Sequence, residues 1–167
     1  MAEYYNTIAP GYEELHEKEQ LEKLNLIAGH IRPKPAPTDK LLDVGCGSGI
    51  STRFWKCKRT GIDTSQELLK IAKQKDPEGN YVLAPAEKIP FPDNSFDIVI
   101  SITAVHNFSD PEQGLKEVKR VGKKDFAFSV LKKARNYAQI KNWIGQMFKI
   151  VKKTEHSKDT IFICQKV

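Results

Sequence analysis

The residue types most suggestive of chemistry follow a short apolar run at Leu41–Val44. Glycines then occur at alternate positions, Gly45, Gly47 and Gly49. Glycine permits positive φ and lets a ligand approach the backbone closely. In an open α/β sheet, ligands bind in the crevice at the carboxyl ends of the strands. The pattern therefore predicts a nucleotide-type site where this run ends.

The spacing of these glycines discriminates between kinds of nucleotide site. The dinucleotide fingerprint is GxGxxG, but here Ile50 stands in the place of its third glycine, and no Gly-Lys-Ser/Thr follows to make a phosphate-binding loop. Asp43 precedes the glycines, and Asp63 ends the next apolar run. Each feature has a plain alternative, because a glycine loop is often a turn and Asp63 could cap the next helix. Their occurrence together, in this order, favours a ligand site with a ribose acceptor at Asp63.

Five segments of the chain, read in order, indicate which family this pattern belongs to. They are YYNTIAPGYEEL, LLDVGCGSG, GIDTS, AEKIPFPDNSFDIVIS and DPEQGLKEVKRV. In order and spacing the chain resembles the class I S-adenosylmethionine-dependent methyltransferases over nearly its whole length. It is most similar to the small ubiquinone/menaquinone-type branch. The resemblance implies S-adenosylmethionine as the cofactor and no metal.

The resemblance also assigns roles to individual residues. It implies that Asp43 lies near the ammonium group of the cofactor, and that Asp63 and Thr64 lie at the ribose. The full set predicted for cofactor binding is Asp43, Gly45, Cys46, Gly47, Gly49, Asp63, Thr64, Ala86, Glu87 and Ser101. Tyr5 and Tyr12 of the N-terminal arm are candidates to cover the cofactor, and ordinary helix packing is the equal alternative for both. One position departs from the family, since Pro85 stands where an Asp commonly accepts from the adenine amino group. Glu87 or backbone carbonyls would then take that role.

Catalysis of methyl transfer needs few side chains, because positioning two reactants supplies much of the rate. A base, where one is required, is expected after the fourth strand, in the segment SITAVHNF. His106 is the candidate there, since imidazole titrates near neutral pH. The alternative is that His106 only packs under the cofactor loop.

Alternating periodicities predict the elements that must position these residues. Short apolar runs alternate with helical patterns from Leu41 to Leu131, and two further apolar runs, FKIVKK and TIFICQKV, follow a last helix. The linker between them is too short to join parallel strands. The sequence thus predicts a Rossmann-like, doubly wound α/β fold, with a mainly parallel seven-stranded sheet and a C-terminal antiparallel hairpin.

The N-terminal part has a different pattern. Apolar residues share one face of a helix ending at Ile31, namely Leu24, Ile27, Ala28 and Ile31, and three prolines interrupt the chain at 32–40. We expect an N-terminal helical arm (1–31), a Pro-rich connector (32–40) and a methyltransferase domain (41–167), forming a single domain overall. The first residues show neither a signal peptide nor a long apolar span, and the cysteines show no disulfide framework. We therefore expect a cytoplasmic protein, by default a monomer, away from membranes.

Charge bears on the methyl acceptor. The formal charge is +6, but residues 111–167 hold 14 Lys plus Arg and five Asp plus Glu, a balance of +9. Aromatic residues interleave with these cations. Nucleic-acid-binding surfaces have this composition, because cations contact the phosphates and aromatic rings stack on the bases. The alternative is an ordinary solvated face.

Three functions stay open at this point. The first is methylation of RNA, especially tRNA, because SITAVHN loosely resembles wobble-uridine tRNA methyltransferases that are activated by a small zinc-ribbon partner subunit. The second is methylation of a small metabolite such as a quinone precursor. The third is a non-catalytic cofactor-binding subunit.

Overall fold

The computed structural model describes residues 17–31 and 34–167. In chain order the elements are α1 (17–30), β1 (Lys40–Val44), α2 (Ile50–Arg53), β2 (Lys58–Asp63), α3 (Gln66–Lys75), β3 (Asn80–Leu83), β4 (Phe96–Ile102), a 3₁₀ turn (Val105–Asn107), α4 (Pro111–Val121), β5 (Gly122–Leu131), α5 (Tyr137–Met147), β6 (Phe148–His156) and β7 (Asp159–Lys166).

The seven strands form one sheet in the order β3-β2-β1-β4-β5-β7-β6. Strands β1 to β5 pair in parallel, β7 runs antiparallel to β5, and β6 runs antiparallel to β7. The predicted Rossmann-like sheet with a C-terminal antiparallel hairpin is therefore confirmed. The chain reverses its direction of travel across the sheet between β1 and β4, which is where a ligand crevice forms in such folds.

The hairpin is longer than the sequence pattern suggested. Most of the predicted linker TEHSKD is strand, and only Ser157 and Lys158 lie between β6 and β7. Ser157 takes a φ of 49°, as a residue of a tight turn can. The last strand, β7, lies inside the sheet between β5 and β6. Because β7 is antiparallel to β5, it begins beside the carboxyl end of β5, at the same end of the sheet as the predicted ligand crevice.

Apolar side chains cover both faces of the sheet. Helices α4 and α5 pack on one face, around Phe126, Phe128 and Phe162. Helix α1 packs on the other face through Leu24, Ile27 and Ile31, the stripe that its sequence predicts. Residues 17–31 thus share a core with the sheet, while the division at 31 and 40 stays a prediction.

Short polar caps fix where the helices begin beside the crevice. The Ser65 hydroxyl accepts from Leu68 N at the start of α3, and the Asp110 carboxylate accepts from Gln113 N at the start of α4. Both helices therefore begin just beyond a strand end, and their N-termini face the crevice side of the sheet. Within the described ranges, no helix is both long enough and apolar enough to cross a membrane.

Candidate active site

A cavity of about 510 Å³ opens at the carboxyl ends of the parallel strands. Its walls come from four segments: the glycine loop after β1, the end of β2, the turn after β3 and the segment after β4. This is the switch point between β1 and β4, where the tertiary structure of such sheets leaves room for a ligand.

The glycine loop forms one wall mainly with backbone atoms. Gly45 has a φ of 77°, and a Cβ added there would lie 2.6 Å from Ala104 Cβ on the opposite wall. Gly47 has a φ of 55°, and its N–H donates to Asp63 Oδ2 at 2.9 Å. Both glycines thus take a left-handed conformation that favours glycine, and at Gly45 a side chain would also clash with Ala104.

Asp63 ends β2 at the floor of the cavity. Its Oδ2 accepts from Gly47 N and its Oδ1 accepts from Ser65 N at 2.8 Å, so the carboxylate joins the glycine loop to the start of α3. Burial raises its pKa, and these backbone donors oppose that shift. The carboxylate lines the cavity, so its remaining lone pairs can accept from a ligand's hydroxyl groups.

Asp43 lies behind the loop rather than on the cavity wall. It is fully buried, and its Oδ2 accepts from the hydroxyls of Ser51 and Thr52, the latter at 2.8 Å. Burial is the main cause that raises its pKa to about 6, and the nearby Asp63 carboxylate adds to the shift, while the two hydroxyl donors oppose it. Asp43 thus anchors α2 beneath the glycine loop.

The turn after β3 supplies another wall. Ala86 and Glu87 line the cavity as predicted, and so does Pro85. Glu87 Oε1 accepts from Asp110 N at 3.2 Å, which ties this turn to the N-terminus of α4. The carboxylate of Glu87 therefore has a structural partner in addition to any ligand.

The segment after β4 forms the wall opposite the glycine loop. His106 lies there, in the 3₁₀ turn, and burial lowers its pKa, with Asp159 opposing and Lys23 adding to the shift. Its Nδ1 is buried and has no hydrogen-bond partner among residues 17–31 and 34–167. A neutral imidazole is the form that can accept a proton, so the geometry is compatible with the predicted base.

Several predicted cofactor residues do not line the cavity. Cys46 is buried against Leu69, Ala72 and Tyr81 behind the loop. Gly49 precedes the first turn of α2, and the Ser101 hydroxyl donates to Val44 O at 2.8 Å. These residues shape the loop and strand from behind. Gly45, Gly47, Asp63, Thr64, Ala86, Glu87 and His106 do line the cavity, and Tyr5 and Tyr12 lie outside the described residues.

Sequence reasoning missed a polar cluster behind the same wall. Thr103 lines the cavity, and its hydroxyl contacts Lys23, Ser129 and Asp159. One signal was present, since Lys23 interrupts the apolar face of α1 beside Leu24. Nothing local in the sequence marks Asp159, because its partners are distant along the chain.

Comparison with known proteins identifies the family of the chain. The family model described as a methyltransferase domain matches residues 42–130, which include the glycine loop, Asp63 and the segment after β4. The chain belongs to this methyltransferase family. It is a class I, S-adenosylmethionine-dependent methyltransferase domain by family and fold, as its motifs predicted.

Two curated relatives align with most of the chain. An uncharacterized protein of Methanocaldococcus jannaschii is 34% identical over 154 residues, covering 90% of this chain and 59% of that protein. The ubiquinone/menaquinone biosynthesis C-methyltransferase of Geotalea daltonii is 35% identical over 133 residues, covering 71% of this chain and 57% of that protein. The chain thus spans less than two thirds of the length of either relative.

A solved methyltransferase structure shares the fold over nearly the full length. It is the complex between the Haloferax volcanii Trm112 methyltransferase activator and a methyltransferase, with a TM-score of 0.80, 15% identity, and coverage of 97% of this chain and 96% of that chain. At this identity the likeness concerns the fold of the methyltransferase domain.

The described residues of this methyltransferase domain fit S-adenosylmethionine. Gly45 and Gly47 line the cavity without side chains, and Asp63 offers a carboxylate for ribose hydroxyls. No phosphate-binding lysine lines the cavity walls that the structure describes, which suits a cofactor without phosphates. When bound, the cofactor supplies a methyl group on an electrophilic sulfonium.

Proposed function

We propose that this domain transfers a methyl group from S-adenosylmethionine to RNA, with tRNA as the substrate to test first. The observation that carries the proposal is a group of exposed cations beside the mouth of the cofactor cavity. Methyl transfer of this kind depends on holding the acceptor in line with the methyl group. The cations would hold the acceptor's phosphates while the cavity holds the cofactor.

The cations lie on the loop between β5 and α5 and on the neighbouring hairpin turn. Lys133 and Arg135 are exposed, and the next residue, Asn136, donates from Nδ2 to the His106 carbonyl at 3.3 Å. Lys132 N donates to Lys158 O at 2.8 Å, so the exposed Lys158 belongs to the same surface. This surface, formed by Lys133, Arg135 and Lys158, is called the basic rim below.

The aromatic residues of the same region have another role. Tyr137 and Trp143 pack against the main core, and Phe148 is 2% exposed within it. They are therefore poorly placed to stack on bases, and the proposal rests on contacts between cations and phosphates alone.

A small activator subunit is a second element of the proposal. One structural neighbour of similar length is a methyltransferase bound to the Trm112 activator. Among the residues that the structure describes, β3 is an edge strand of the sheet, and Leu83 is 55% exposed beside the cavity-lining Ala84 and Pro85. An unpaired edge with an exposed apolar side chain is the kind of surface that another chain covers.

Methylation of a small metabolite is the alternative acceptor class. The enclosed part of the cavity and the likeness to a quinone C-methyltransferase favour it. His106 would then face the acceptor as a candidate base. A third reading, a non-catalytic cofactor-binding subunit, predicts cofactor binding without transfer to any acceptor.

The deciding experiment offers methyl-labelled S-adenosylmethionine with bulk tRNA and, separately, with a metabolite extract, each with and without a co-expressed Trm112-type protein. Label in tRNA is the expected result. Label in the extract alone would replace RNA with a small acceptor. Label in neither, with cofactor binding intact, would favour the non-catalytic subunit.

A charge-reversal pair locates the RNA contact. We expect Lys133→Glu with Arg135→Glu to weaken tRNA binding and to lower the salt slope of log affinity by about two, since each lost phosphate contact removes about one. The matched control is Lys149→Glu with Lys152→Glu, which changes the charge equally on exposed positions of β6, away from the cavity. Equal losses from both pairs would show that net charge, not the basic rim, governs binding.

A further inference from the structure

Four polar side chains from four separate elements meet behind the wall that follows β4. Lys23 of α1 lies with its Nζ 3.1 Å from Asp159 Oδ2 of β7, and their side chains are 3% and 0% exposed. The hydroxyl of Ser129, on β5, donates to the same Asp159 oxygen at 2.7 Å, and so does that of Thr103. An ion pair held this far from water depends on such additional hydrogen bonds.

Thr103 is the member of this cluster that reaches the cavity. It is β-branched, yet its φ is 52°, a left-handed conformation that is a genuine outlier for such a residue. Residues in such conformations persist only where the surroundings hold them, and they concentrate at functional sites. Here Thr103 N donates to Ser129 O at 2.9 Å, and the Thr103 hydroxyl accepts from Lys23 Nζ at 2.8 Å while donating to Asp159.

The backbone conformation of Thr103 sets the positions of the next residues of the wall, which face the glycine loop. The next residue, Ala104, lines the cavity, and its Cβ lies in the space that a side chain at Gly45 would need. The 3₁₀ turn that carries His106 begins one residue later. A change of φ at Thr103 would therefore move both Ala104 and His106 relative to the glycine loop.

We propose that Lys23, Ser129 and Asp159 are positioning residues that hold Thr103 in its left-handed conformation, and thereby keep the wall at Ala104 in the shape that binds the cofactor. Helix α1 then belongs to the site, although none of its described residues lines the cavity. The inference rests on the proposed function in that S-adenosylmethionine is the ligand measured.

The first test measures S-adenosylmethionine affinity by calorimetry at low temperature, where each variant is folded. Lys23→Met keeps the length of the side chain and removes the charge. If the wall at Ala104 then takes the cofactor-binding conformation in about a tenth of the molecules, the apparent Kd for S-adenosylmethionine rises about tenfold. Lys18→Met removes an exposed charge from the same helix, and its Kd should match that of the unaltered protein.

Substitutions at Thr103 test whether Lys23 acts on the cavity wall through the Thr103 hydroxyl. Thr103→Val keeps the β-branch and loses the hydroxyl, so it should weaken binding about as much as Lys23→Met, and more than Thr103→Ser. The double variant Lys23→Met/Thr103→Val should show little further loss, because both changes break one chain of contacts. Additive losses would overturn the proposal, as would variants that melt earlier but bind with unchanged Kd. Should Lys23→Met not fold, Thr103→Val and Ser129→Ala carry the same comparison.

A second readout separates failure of this inference from failure of the proposed function. Amide NMR signals of Gly45, Ala104 and His106 are compared in cofactor-free protein with and without Thr103→Val. Shifts at all three are expected, whatever ligand the cavity takes. Unchanged signals at Gly45 and Ala104 would overturn the positioning role, even where the cofactor binds. Absence of cofactor binding by the unaltered protein, with these signals shifted, would overturn the proposed function alone.

Discussion

Two of the cavity's walls are built in different ways. The wall formed by β1 and β2 uses backbone atoms and one carboxylate, and its key hydrogen bond, Gly47 to Asp63, joins residues 16 apart in the chain. The wall after β4 is held by side chains, and its bonds from Thr103 to Lys23 and Asp159 span 80 and 56 residues.

Charge divides the chain at a different place, because the residues that line both walls lie within residues 1–110. Residues 1–110 carry 13 Lys plus Arg and 16 Asp plus Glu, a balance of −3, whereas the segment that supplies the basic rim has a balance of +9. Under the proposed function, the cavity would hold the cofactor and the basic rim would hold the acceptor, so the two would be recognised by separate surfaces. A backbone cradle tolerates few substitutions, while a wall of side chains can change its ligand by changing side chains.

The largest effect is expected on the backbone-built wall. Asp63→Ala removes acceptors for two ribose hydroxyls, and hydrogen bonds to charged groups contribute about 1.5–3 kcal/mol each. S-adenosylmethionine affinity should therefore fall at least about a hundredfold, since about 1.4 kcal/mol corresponds to a factor of ten. Calorimetry measures it, and Glu78→Ala, a charge removed from an 89% exposed side chain, is the control. Unchanged affinity would remove Asp63 from the cofactor site.

A comparable effect is expected on the stability of the other wall. Asp159→Ala leaves the buried Lys23 with only the Glu19 carboxylate, 3.7 Å from its Nζ and 29% exposed, as a counter-charge. Breaking a buried pair costs about 3–5 kcal/mol in the free energy of unfolding. Urea unfolding should show this loss, and Glu155→Ala, at a 63% exposed side chain, should show far less. The double variant Lys23→Met/Asp159→Ala should recover much of the loss. No recovery would mean that the pair does not act as a unit.

The Asp43 carboxyl behind the glycine loop predicts a pH dependence of stability. It holds its proton to about pH 6 in the folded protein but titrates near 3.8 when unfolded. The folded state therefore binds more protons between these values, so stability falls as pH rises through that window, by about 3 kcal/mol. Urea unfolding at pH 4 and pH 7 should show this loss relative to Asp43→Asn, which lacks the carboxyl. Identical pH profiles for the two proteins would contradict the raised pKa.

The smallest effect concerns an exposed long-range pair. His156 Nε2 lies 2.8 Å from Glu22 Oε2 and joins β6 to α1 across 134 residues. Exposed ion pairs contribute about 0–1 kcal/mol, so Glu22→Gln should change the free energy of unfolding by less than about 1 kcal/mol, and less still in high salt. Urea unfolding checks this. A loss as large as that of Asp159→Ala would show that sequence separation, not burial, sets the strength of such contacts.

The fold was predictable because its signals are local. Apolar runs and helical stripes recur along the chain, and the linker between the last two strands is too short for a parallel pair. The chain's own glycine spacing likewise indicated the cofactor wall, where Gly45, Gly47 and Asp63 meet. Cys46 and Ser101 were predicted as cofactor residues from the family resemblance, whereas in the structure Cys46 packs against Leu69, Ala72 and Tyr81 and the Ser101 hydroxyl donates to Val44 O.

Local patterns in the sequence therefore predicted the mainly parallel sheet and the carboxylate at the end of β2. The cofactor class was implied by the resemblance to class I methyltransferases, which five segments of the chain carry. Only the tertiary structure decided that the loop carrying Lys133 and Arg135 contacts the segment of His106. It also decided that Tyr137 and Trp143 pack against the core, and that Lys23 and Asp159 meet behind Thr103. The physical reason is that a buried ion pair forms where distant elements pack. Asp159 carries no local pattern that distinguishes it from an ordinary surface charge, and Lys23 is marked only by its place on the apolar face of α1.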